Sequence, residues 1–191
     1  MRGYFGIGIE NASKPMNVGS LFRSAHGFGA SFVFTIDANY TPRKGRSSDT
    51  SDTPGHVPFY SFPTVESMLL PNGCTLVGVE LTEDAVQLPS FHHPEQAAYI
   101  LGGERYGLSA ELLERCKFVI KIPTAFSINV GTAGAIVMYD RMLSRGRFRR
   151  RPEWPGGESV AAPRHVFGEP KSRTKMEAFR AQPPAVVERK R

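Results

Sequence analysis

AAYILGGERYGLS, at residues 97–109, joins an apolar run, a glycine-rich turn and a helix cap in one short stretch. The apolar run Ala97–Leu101 predicts a buried strand. Ser109 predicts the start of a helix that extends to Cys116, since its hydroxyl can accept a hydrogen bond from an unpaired backbone N–H. A strand that leads through a tight loop into a helix is typical of α/β domains.

The same order of elements recurs on both sides of this stretch. Apolar runs predict further strands at Tyr4–Ile9, Ser31–Ile36, Cys74–Leu81 and Phe118–Ile122. Apolar residues at helical spacing predict helices at Asn17–Phe28 and Thr64–Leu70, and from Asn129 to about Ser144. The polar segment Asn39–Pro58 is predicted to be a long loop. This alternation predicts an α/β fold with a mainly parallel sheet flanked by helices.

The carboxyl-terminal segment differs from the rest in composition and charge. Residues 144–191 hold 13 Lys and Arg against 5 Asp and Glu, whereas residues 1–143 hold 11 against 13. Six prolines fall in residues 152–184, where no apolar periodicity is sustained. We therefore predict a folded domain at 1–146 and a basic, proline-rich, disordered tail at 147–191, with a short helix near Lys175–Arg180. Such a basic segment can attract a polyanion, or it can simply keep the chain soluble.

Several classes of protein are disfavoured by the same composition. No apolar run has the length of a membrane span, and the amino terminus is too short and too broken for a signal peptide. Cys74 and Cys116 lack a partner motif and are expected to be free thiols in a reducing compartment, so we expect a cytoplasmic protein. His92 and His93 lack further ligands nearby, so no metal site is expected.

Three segments fall where strands lead into helices, at the positions where open α/β sheets place their ligands. They are NVGSLFR at 17–23, ILGGERYGLS at 100–109 and IKIPTAFSINV at 120–130. Glycines in the second segment allow backbone groups to approach a ligand, and Glu104 favours an uncharged or cationic ligand over a phosphate. Each segment also has a structural interpretation. Arg23 could be solvated, the glycines could form an ordinary connection, and Ser127 or Asn129 could cap the last helix.

Taken together, in this order and spacing, the three segments resemble the signature of the SpoU-type (TrmH-like) branch of the SPOUT RNA methyltransferases. The first motif of that family, Asn-x-Gly-x-x-x-Arg, is matched by Asn17, Gly19 and Arg23. Its second motif, Gly-x-Glu-x-x-Gly, is matched by Gly102, Glu104 and Gly107. Its third motif, Ile-Pro followed by Ser-Leu-Asn-Val, is matched by 122–123 and 127–130, with Ile128 in place of leucine and a shorter intervening segment. The resemblance covers about residues 3–145.

This resemblance implies a fold, a cofactor and a partner. The fold would be the SPOUT α/β knot, in which the carboxyl-terminal part of the sheet is threaded into a trefoil knot, a rare exception to the rule against knotted chains. The protein would be a homodimer with S-adenosylmethionine as cofactor. The residues implied to hold the cofactor are Val79, Gly102, Gly103, Gly107, Ile122 and Ile128.

The resemblance also assigns catalytic roles for methyl transfer to a ribose 2′-hydroxyl. Arg23 is the implied catalytic residue, assisted by Ser127 and Asn129, while Asn17 belongs to the same motif as Arg23 and Glu104 would orient its loop. A guanidinium is hardly ever deprotonated. We therefore interpret Arg23 as a clamp on the target phosphate that stabilises the developing alkoxide, rather than as a general base.

The substrate is expected to be RNA. We expect tRNA because the chain is small and starts directly with its first strand, without an added RNA-binding domain, and ribosomal RNA is the alternative. Candidate RNA contacts are Arg43, Lys44 and Arg46 in the polar loop and Arg147, Arg149, Arg150 and Arg151 in the tail. A non-catalytic RNA-binding module is the second class considered. A nucleotide-binding dehydrogenase is disfavoured, because Gly6-Ile7-Gly8 falls within a predicted strand instead of opening a helix.

Overall fold

The computed structural model describes residues 3–38, 40, 48–146, 148, 151–152 and 154–159. The chain divides into one compact unit up to Phe148 and a second unit from Arg149. The first unit contains every helix and strand given below. The predicted tail helix at Lys175–Arg180 lies outside the described residues, and so does most of the predicted tail.

The first unit alternates strands and helices along the chain. The strands are β1 (Tyr4–Glu10), β2 (Phe32–Ile36), β3 (Phe59–Phe62), β4 (Thr75–Val79), β5 (Val86–Gln87), β6 (Gln96–Leu101) and β7 (Phe118–Lys121). The helices are α1 (Pro15–Gly27), α2 (Thr53–His56), α3 (Ala110–Arg115) and α4 (Val130–Arg145), with one 3-10 turn at Leu88–Ser90. No helix in the described part of the chain is both long enough and apolar enough to cross a membrane.

The strands form one sheet in the order β3-β2-β1-β6-β4-β7-β5. Every neighbouring pair is parallel. The predicted α/β fold with a mainly parallel sheet is therefore confirmed. Because all strands run in the same direction, the loops that follow β4, β6 and β7 meet at one edge of the sheet.

Both faces of the sheet are covered, as parallel sheets require. On one face, apolar residues of β1, β6 and β7 pack with α1 and α4 in the larger core cluster. On the other face, residues of β2, β4 and β6 pack with α3 in a second cluster. Gly6-Ile7-Gly8 lies within strand β1, as predicted. A Cβ on Gly6 or Gly8 would collide with the ring of Phe32 or Phe34, so these glycines admit the two aromatic rings.

The segment between β2 and β4 differs from the sequence prediction. No helix forms at Thr64–Leu70, because Thr64 and Ser67 exchange side-chain and backbone hydrogen bonds and close a turn instead. The predicted loop Asn39–Pro58 contains the short helix α2, which is anchored by the buried carboxylate of Asp49. That carboxylate accepts hydrogen bonds from the backbone N–H and the hydroxyl of Thr53, each at 2.9 Å.

Candidate active site

A cavity of about 400 Å³ lies at the carboxyl ends of β4, β6 and β7. It is bordered by residues 79–81, by the loop after β6 and by the segment that joins β7 to α4. All six residues implied to hold the cofactor line it, together with three of the five residues implied to be catalytic. These nine are Val79, Gly102, Gly103, Gly107, Ile122, Ile128, Glu104, Ser127 and Asn129.

The loop after β6 needs its glycines because backbone segments approach each other closely there. A Cβ on Gly102 would lie 2.1 Å from the carbonyl carbon of Gly107, and a Cβ on Gly103 would lie 2.3 Å from the carbonyl oxygen of Asn11. Gly107 has a positive φ of 66° and donates its N–H to the Gly103 carbonyl at 3.1 Å. The loop is thus a tight turn that brings main-chain groups to the cavity wall.

Two carboxylates that the sequence analysis did not identify hold this loop in place. Glu80, directly after β4, accepts the N–H of Leu108 at 2.8 Å. The buried Glu10, at the end of β1, accepts the N–H and the hydroxyl of Ser109 at 2.7 and 2.6 Å. The only signal in the sequence was an acidic residue at the end of an apolar strand, since the partners of Glu10 and Glu80 lie far away along the chain. Ser109 also caps α3 by accepting the N–H of Leu112, as predicted.

The two polar residues of the third motif, in the segment before α4, have different roles. Asn129 is the N-cap of α4, because its side-chain oxygen accepts the N–H of Gly131 at 2.9 Å. Its amide nitrogen also donates to the side-chain oxygen of Asn17 at 3.2 Å, which joins the first and third motifs. Ser127 is exposed at the cavity and makes no hydrogen bond with any described residue, so its hydroxyl is available to a ligand.

Arg23 occupies a different position from the other predicted catalytic residues. It is exposed on α1, more than one turn beyond Asn17, and it is not among the residues that line the cavity. Within the described part of the chain, its guanidinium has no hydrogen bond or ion pair. The structure therefore brings Ser127, Asn129 and Glu104 to one cavity of a single chain. Asn17 is connected to the cavity through its hydrogen bond with Asn129, and Arg23 lies outside it.

Charged side chains of both signs border the cavity. Glu104 forms an ion pair with Lys14 at 2.5 Å, so its charge is offset and does not by itself favour a cationic ligand. Lys121 donates to the carbonyl oxygens of Thr82 and Glu83, while Arg105 lines the cavity without a hydrogen-bond or ionic partner among the described residues. The sequence analysis did not identify the three basic residues, because their relation to the motifs depends on how the loops meet.

The cysteines and histidines of the described residues are not among those that line the cavity. Cys74 and Cys116 are free thiols, and burial raises the pKa of Cys116 to about 12, so it is not an available nucleophile at neutral pH. No group of three or more metal-ligating side chains occurs in the residues that the structure describes. Among the histidines, His26 stacks on His56, and His93 is fully buried, where it hydrogen-bonds to Tyr99 and Asp140.

Six of the seven predicted RNA contacts fall outside the described part of the chain. Arg43, Lys44, Arg46, Arg147, Arg149 and Arg150 lie outside the described residues. Arg151 belongs to the second unit and is exposed. Their role as RNA contacts therefore stays a prediction.

Comparison with known families gives one match over most of the first unit. The model of the family described as "SpoU rRNA Methylase family" matches residues 5–139. An "Uncharacterized tRNA/rRNA methyltransferase" of Archaeoglobus fulgidus is 28% identical over 76% of this chain and 66% of its own length. The tRNA (guanosine(18)-2′-O)-methyltransferase of Thermus thermophilus is 24% identical over 72% of this chain and 73% of its own length. The 23S rRNA (guanosine(2553)-2′-O)-methyltransferase RlmP of Bacillus subtilis is 26% identical over 69% of this chain and 55% of its own length.

Solved structures share the fold at lower identity. The SpoU methyltransferase AviRb of Streptomyces viridochromogenes, in complex with the cofactor AdoMet, superposes with a TM-score of 0.68 at 20% identity, over 76% of this chain and 59% of that one. The TrmH/SpoU tRNA modifying enzyme of A. aeolicus gives a TM-score of 0.64 at 18% identity, over 74% of this chain and 75% of that one. The chain thus spans between 55% and 66% of the length of several proteins that it resembles.

Proposed function

The chain belongs to the SpoU rRNA Methylase family, and from this premise we propose that it transfers a methyl group from S-adenosylmethionine to a ribose 2′-hydroxyl in RNA. The observation that carries the proposal is that the second and third motifs line one cavity, while the first motif reaches it through the Asn17–Asn129 hydrogen bond. A non-catalytic RNA-binding module would need neither the cavity nor the free hydroxyl of Ser127 beside it.

S-adenosylmethionine is the methyl donor in this proposal, and the residues at the cavity fit it. The volume of about 400 Å³ falls within the range of roughly 300–1,000 Å³ that is usual for small-molecule sites. Val79, Leu101, Ile122 and Ile128 supply apolar walls for an adenosyl group. The glycine turn supplies main-chain groups at the cavity wall, and a Cβ on Gly102 or Gly103 would collide with neighbouring backbone.

A single methyl group tests whether this turn binds the cofactor. Gly102→Ala places a Cβ 2.1 Å from the Gly107 carbonyl carbon and forces the loop to shift. We expect cofactor binding, measured by calorimetry, to weaken by about tenfold, or about 1.4 kcal/mol. The loop must move to relieve a collision that would cost about 1–3 kcal/mol, and this movement displaces the main-chain groups at the cavity wall. Gly27→Ala is the matched control, because nothing lies within 4 Å of a Cβ there. Unchanged affinity in the Gly102 variant would place the cofactor elsewhere.

Each of the implied catalytic residues then has a task in the transfer. S-adenosylmethionine supplies a methyl group on a sulfonium, which an oxygen must approach in line. Ser127 positions the ribose by hydrogen bonding to its hydroxyl. Asn129 and Asn17 hold the start of α4 against α1, and Glu104 with Lys14 fixes the glycine loop. Arg23 clamps the target phosphate and stabilises the alkoxide that develops as the hydroxyl loses its proton to water.

We also propose that the chain acts as a homodimer with a trefoil knot. Arg23 lies away from the cavity of its own chain. In a dimer, the exposed Arg23 of one copy would reach the cavity of the other. Exposed apolar side chains on the helices offer a surface for such a copy, namely Met16, Ile136 and Tyr139. The knot is supported by α4, which follows β7 yet packs against α1 beside β1. Sedimentation of the purified chain measures the oligomeric state directly.

The proposed substrate is tRNA, and the cell compartment is the cytoplasm. The tRNA proposal is supported by the Thermus thermophilus relative, and the Bacillus subtilis relative makes ribosomal RNA the alternative. The cytoplasmic proposal rests on the free thiols Cys74 and Cys116.

The deciding experiment is methyl transfer from labelled S-adenosylmethionine to total tRNA and, separately, to ribosomal RNA, followed by nucleoside analysis. We expect a 2′-O-methylated nucleoside in the tRNA pool. The same product in ribosomal RNA would change the substrate class and keep the reaction. Binding of RNA and cofactor without transfer to either pool would favour the non-catalytic module.

A further inference from the structure

Two of the most exposed aromatic side chains in the described residues stand at the rim of the cavity. Tyr106 is 85% exposed and Phe126 is 75% exposed. Tyr106 lies between Arg105 and Gly107, and both of these residues line the cavity. Phe126 lies between Thr124 and Ser127, two residues that also border the cavity.

The backbones that carry these two rings are held in defined turns. The Gly103–Gly107 bridge closes the turn that includes Tyr106. The hydroxyl of Thr124 donates to the carbonyl oxygen of Phe126 at 2.8 Å, and the N–H of Thr124 donates to Ile122. The rings are therefore presented to solvent from loops that the fold constrains, instead of folding back into the core.

Neither ring has an aromatic or cationic partner among the residues that the structure describes. A single exposed apolar side chain is common on a protein surface, but two exposed rings at the rim of one cavity form a candidate binding surface. A methyltransferase that acts on a ribose must also hold the attached base, and unpaired bases are bound by stacking on aromatic side chains.

We propose that Tyr106 and Phe126 form a stacking surface for the base of the target nucleotide, or of its immediate neighbour, when RNA enters the cavity. This inference rests on the proposed function. Arg105, next to Tyr106 and without an ionic partner among the described residues, would meet the adjoining phosphate. Recognition by stacking is tolerant of sequence, so the two rings would contribute affinity and position and would not choose the base.

The test compares variants that remove each ring with a variant that removes an equivalent ring elsewhere. Tyr106→Ala and Phe126→Ala should each raise KM for the accepting RNA by about 5- to 100-fold, the range expected for loss of one base–aromatic stack. Tyr106→Phe should behave like the unaltered chain, because stacking needs the ring and not the hydroxyl. Tyr60→Ala is the matched control. Tyr60 is 51% exposed on β3, away from the cavity, and its removal should leave KM unchanged.

A fluorescence measurement reports stacking without relying on activity. Trp154 is the single tryptophan of the chain, so Trp154→Phe gives a silent background. In that background, the emission of Phe126→Trp should be quenched when total tRNA or ribosomal RNA is added, whereas Tyr60→Trp should respond little. Cofactor affinity and oligomeric state are measured for every variant.

Several outcomes would overturn the inference. Unchanged KM in both alanine variants would do so, and so would full retention of affinity by Tyr106→Leu and Phe126→Leu, because any apolar side chain would then serve. Loss of the oligomer in these variants would assign the rings to an interface between copies. Failure of the proposed function has a different signature, since the unaltered chain would then bind RNA without methylating it while quenching still reports the stack. A chain that binds no RNA would overturn both.

Discussion

Among the predicted catalytic residues, Arg23 is the one whose position in the structure differs most from what the sequence implied. The motif places it with Asn17, yet the helix carries its guanidinium into solvent and away from the cavity. An unpaired arginine in that position is free to meet a phosphate, whereas an arginine paired within the chain would first have to be released. The role of Arg23 therefore depends on what approaches the molecule from outside.

We predict that Arg23→Ala abolishes transfer and leaves cofactor binding intact. Removing a charged group that stabilises a developing oxyanion lowers kcat by about 100-fold or more. Arg23 does not line the cofactor cavity, so affinity for S-adenosylmethionine, measured by calorimetry, should remain within about twofold of the unaltered value. Arg23→Lys keeps the charge but loses the two-pronged geometry, and it should recover only part of the rate. A folded Arg23→Ala variant that no longer binds the cofactor would refute this assignment.

At the level of single elements, Asn129 combines a structural and a positional task that substitution can separate. Asn129→Ala removes the cap of α4 and should cost about 1 kcal/mol of unfolding free energy. Asn129→Asp keeps an oxygen that accepts from Gly131 and adds a negative charge that suits a helix amino terminus. It loses the N–H that Asn17 accepts.

We predict that Asn129→Asp is about as stable as the unaltered chain but transfers methyl groups up to about tenfold more slowly. The lost hydrogen bond to Asn17 is worth about 0.5–1.5 kcal/mol, and a barrier raised by about 1.4 kcal/mol slows a reaction tenfold. Urea denaturation and single-turnover transfer measure the two effects separately. Full activity in the aspartate variant would mean that Asn129 serves only as a cap.

The sequence predicts the elements that carry continuous apolar runs or helical periodicity. Strand β6, helix α4 and the cap at Ser109 were found within one or two residues, because their signals are local. Strand β3 was missed since Phe59–Phe62 is short, interrupted by a serine and bordered by prolines. The helix predicted at Thr64–Leu70 does not form, because hydrogen bonds between side chains and the backbone outweigh the effect of its apolar residues.

The site was predictable to the extent that its residues share a motif. The glycines and polar residues of the second and third motifs lie together at one cavity, as the resemblance to the family implied. Glu10 was not identified, because its partner Ser109 is 99 residues away and nothing local links the two. The offset of the Glu104 charge by Lys14 likewise depends on how α1 approaches the glycine loop.

At the scale of the whole molecule, a buried polar cluster fastens α4 to the sheet at the end opposite the cavity. Arg141 is buried and donates to the carbonyl oxygens of Tyr4 and Glu95, at the starts of β1 and β6. It also donates to the hydroxyl of Tyr99, which in turn hydrogen-bonds to His93 at 2.6 Å. A cluster of this kind makes stability depend on the protonation state of its histidine.

Burial lowers the pKa of His93 below its usual 6.5, and the nearby charges of Arg141 and His92 lower it further. The hydrogen bond and charge of Asp140 raise this pKa and offset the lowering only in part. Between the lowered pKa and 6.5, the unfolded chain binds more protons than the folded one, so the free energy of unfolding rises with pH. We predict that stability is fully present above about pH 6.5 and falls by up to about 1.4 kcal/mol per pH unit below it.

Urea denaturation between pH 7.5 and 5 measures this dependence. His93→Gln should reduce the slope, whatever it does to absolute stability, whereas His92→Gln should keep most of it because His92 is exposed. Equal slopes in the two variants would show that other groups cause the loss of stability in acid.

The basic carboxyl-terminal segment gives the last prediction, because its charge contrasts with that of the preceding part of the chain. Residues 147–191 hold 12 Lys and Arg against 5 Asp and Glu, and four of the arginines fall in 147–151. Removal of 147–191 should weaken RNA binding and reduce the slope of log affinity against log salt by about 0.7–0.9 for each phosphate that the tail neutralises. The rate at saturating RNA should persist, since the family match ends at residue 139.

Truncation after Arg151 separates the arginine run from the rest of the tail. It keeps residues 147–151 and removes 8 Lys and Arg with 5 Asp and Glu. If the run tracks the phosphate backbone, this shorter deletion retains most of the affinity and most of the salt slope, both measured by filter binding with tRNA at several salt concentrations. If the two truncations weaken binding equally, the phosphate-binding residues lie beyond Arg151. If neither weakens binding, the tail does not touch RNA, and the first unit, including Arg105 at the cavity rim, must supply the cations that meet the phosphates.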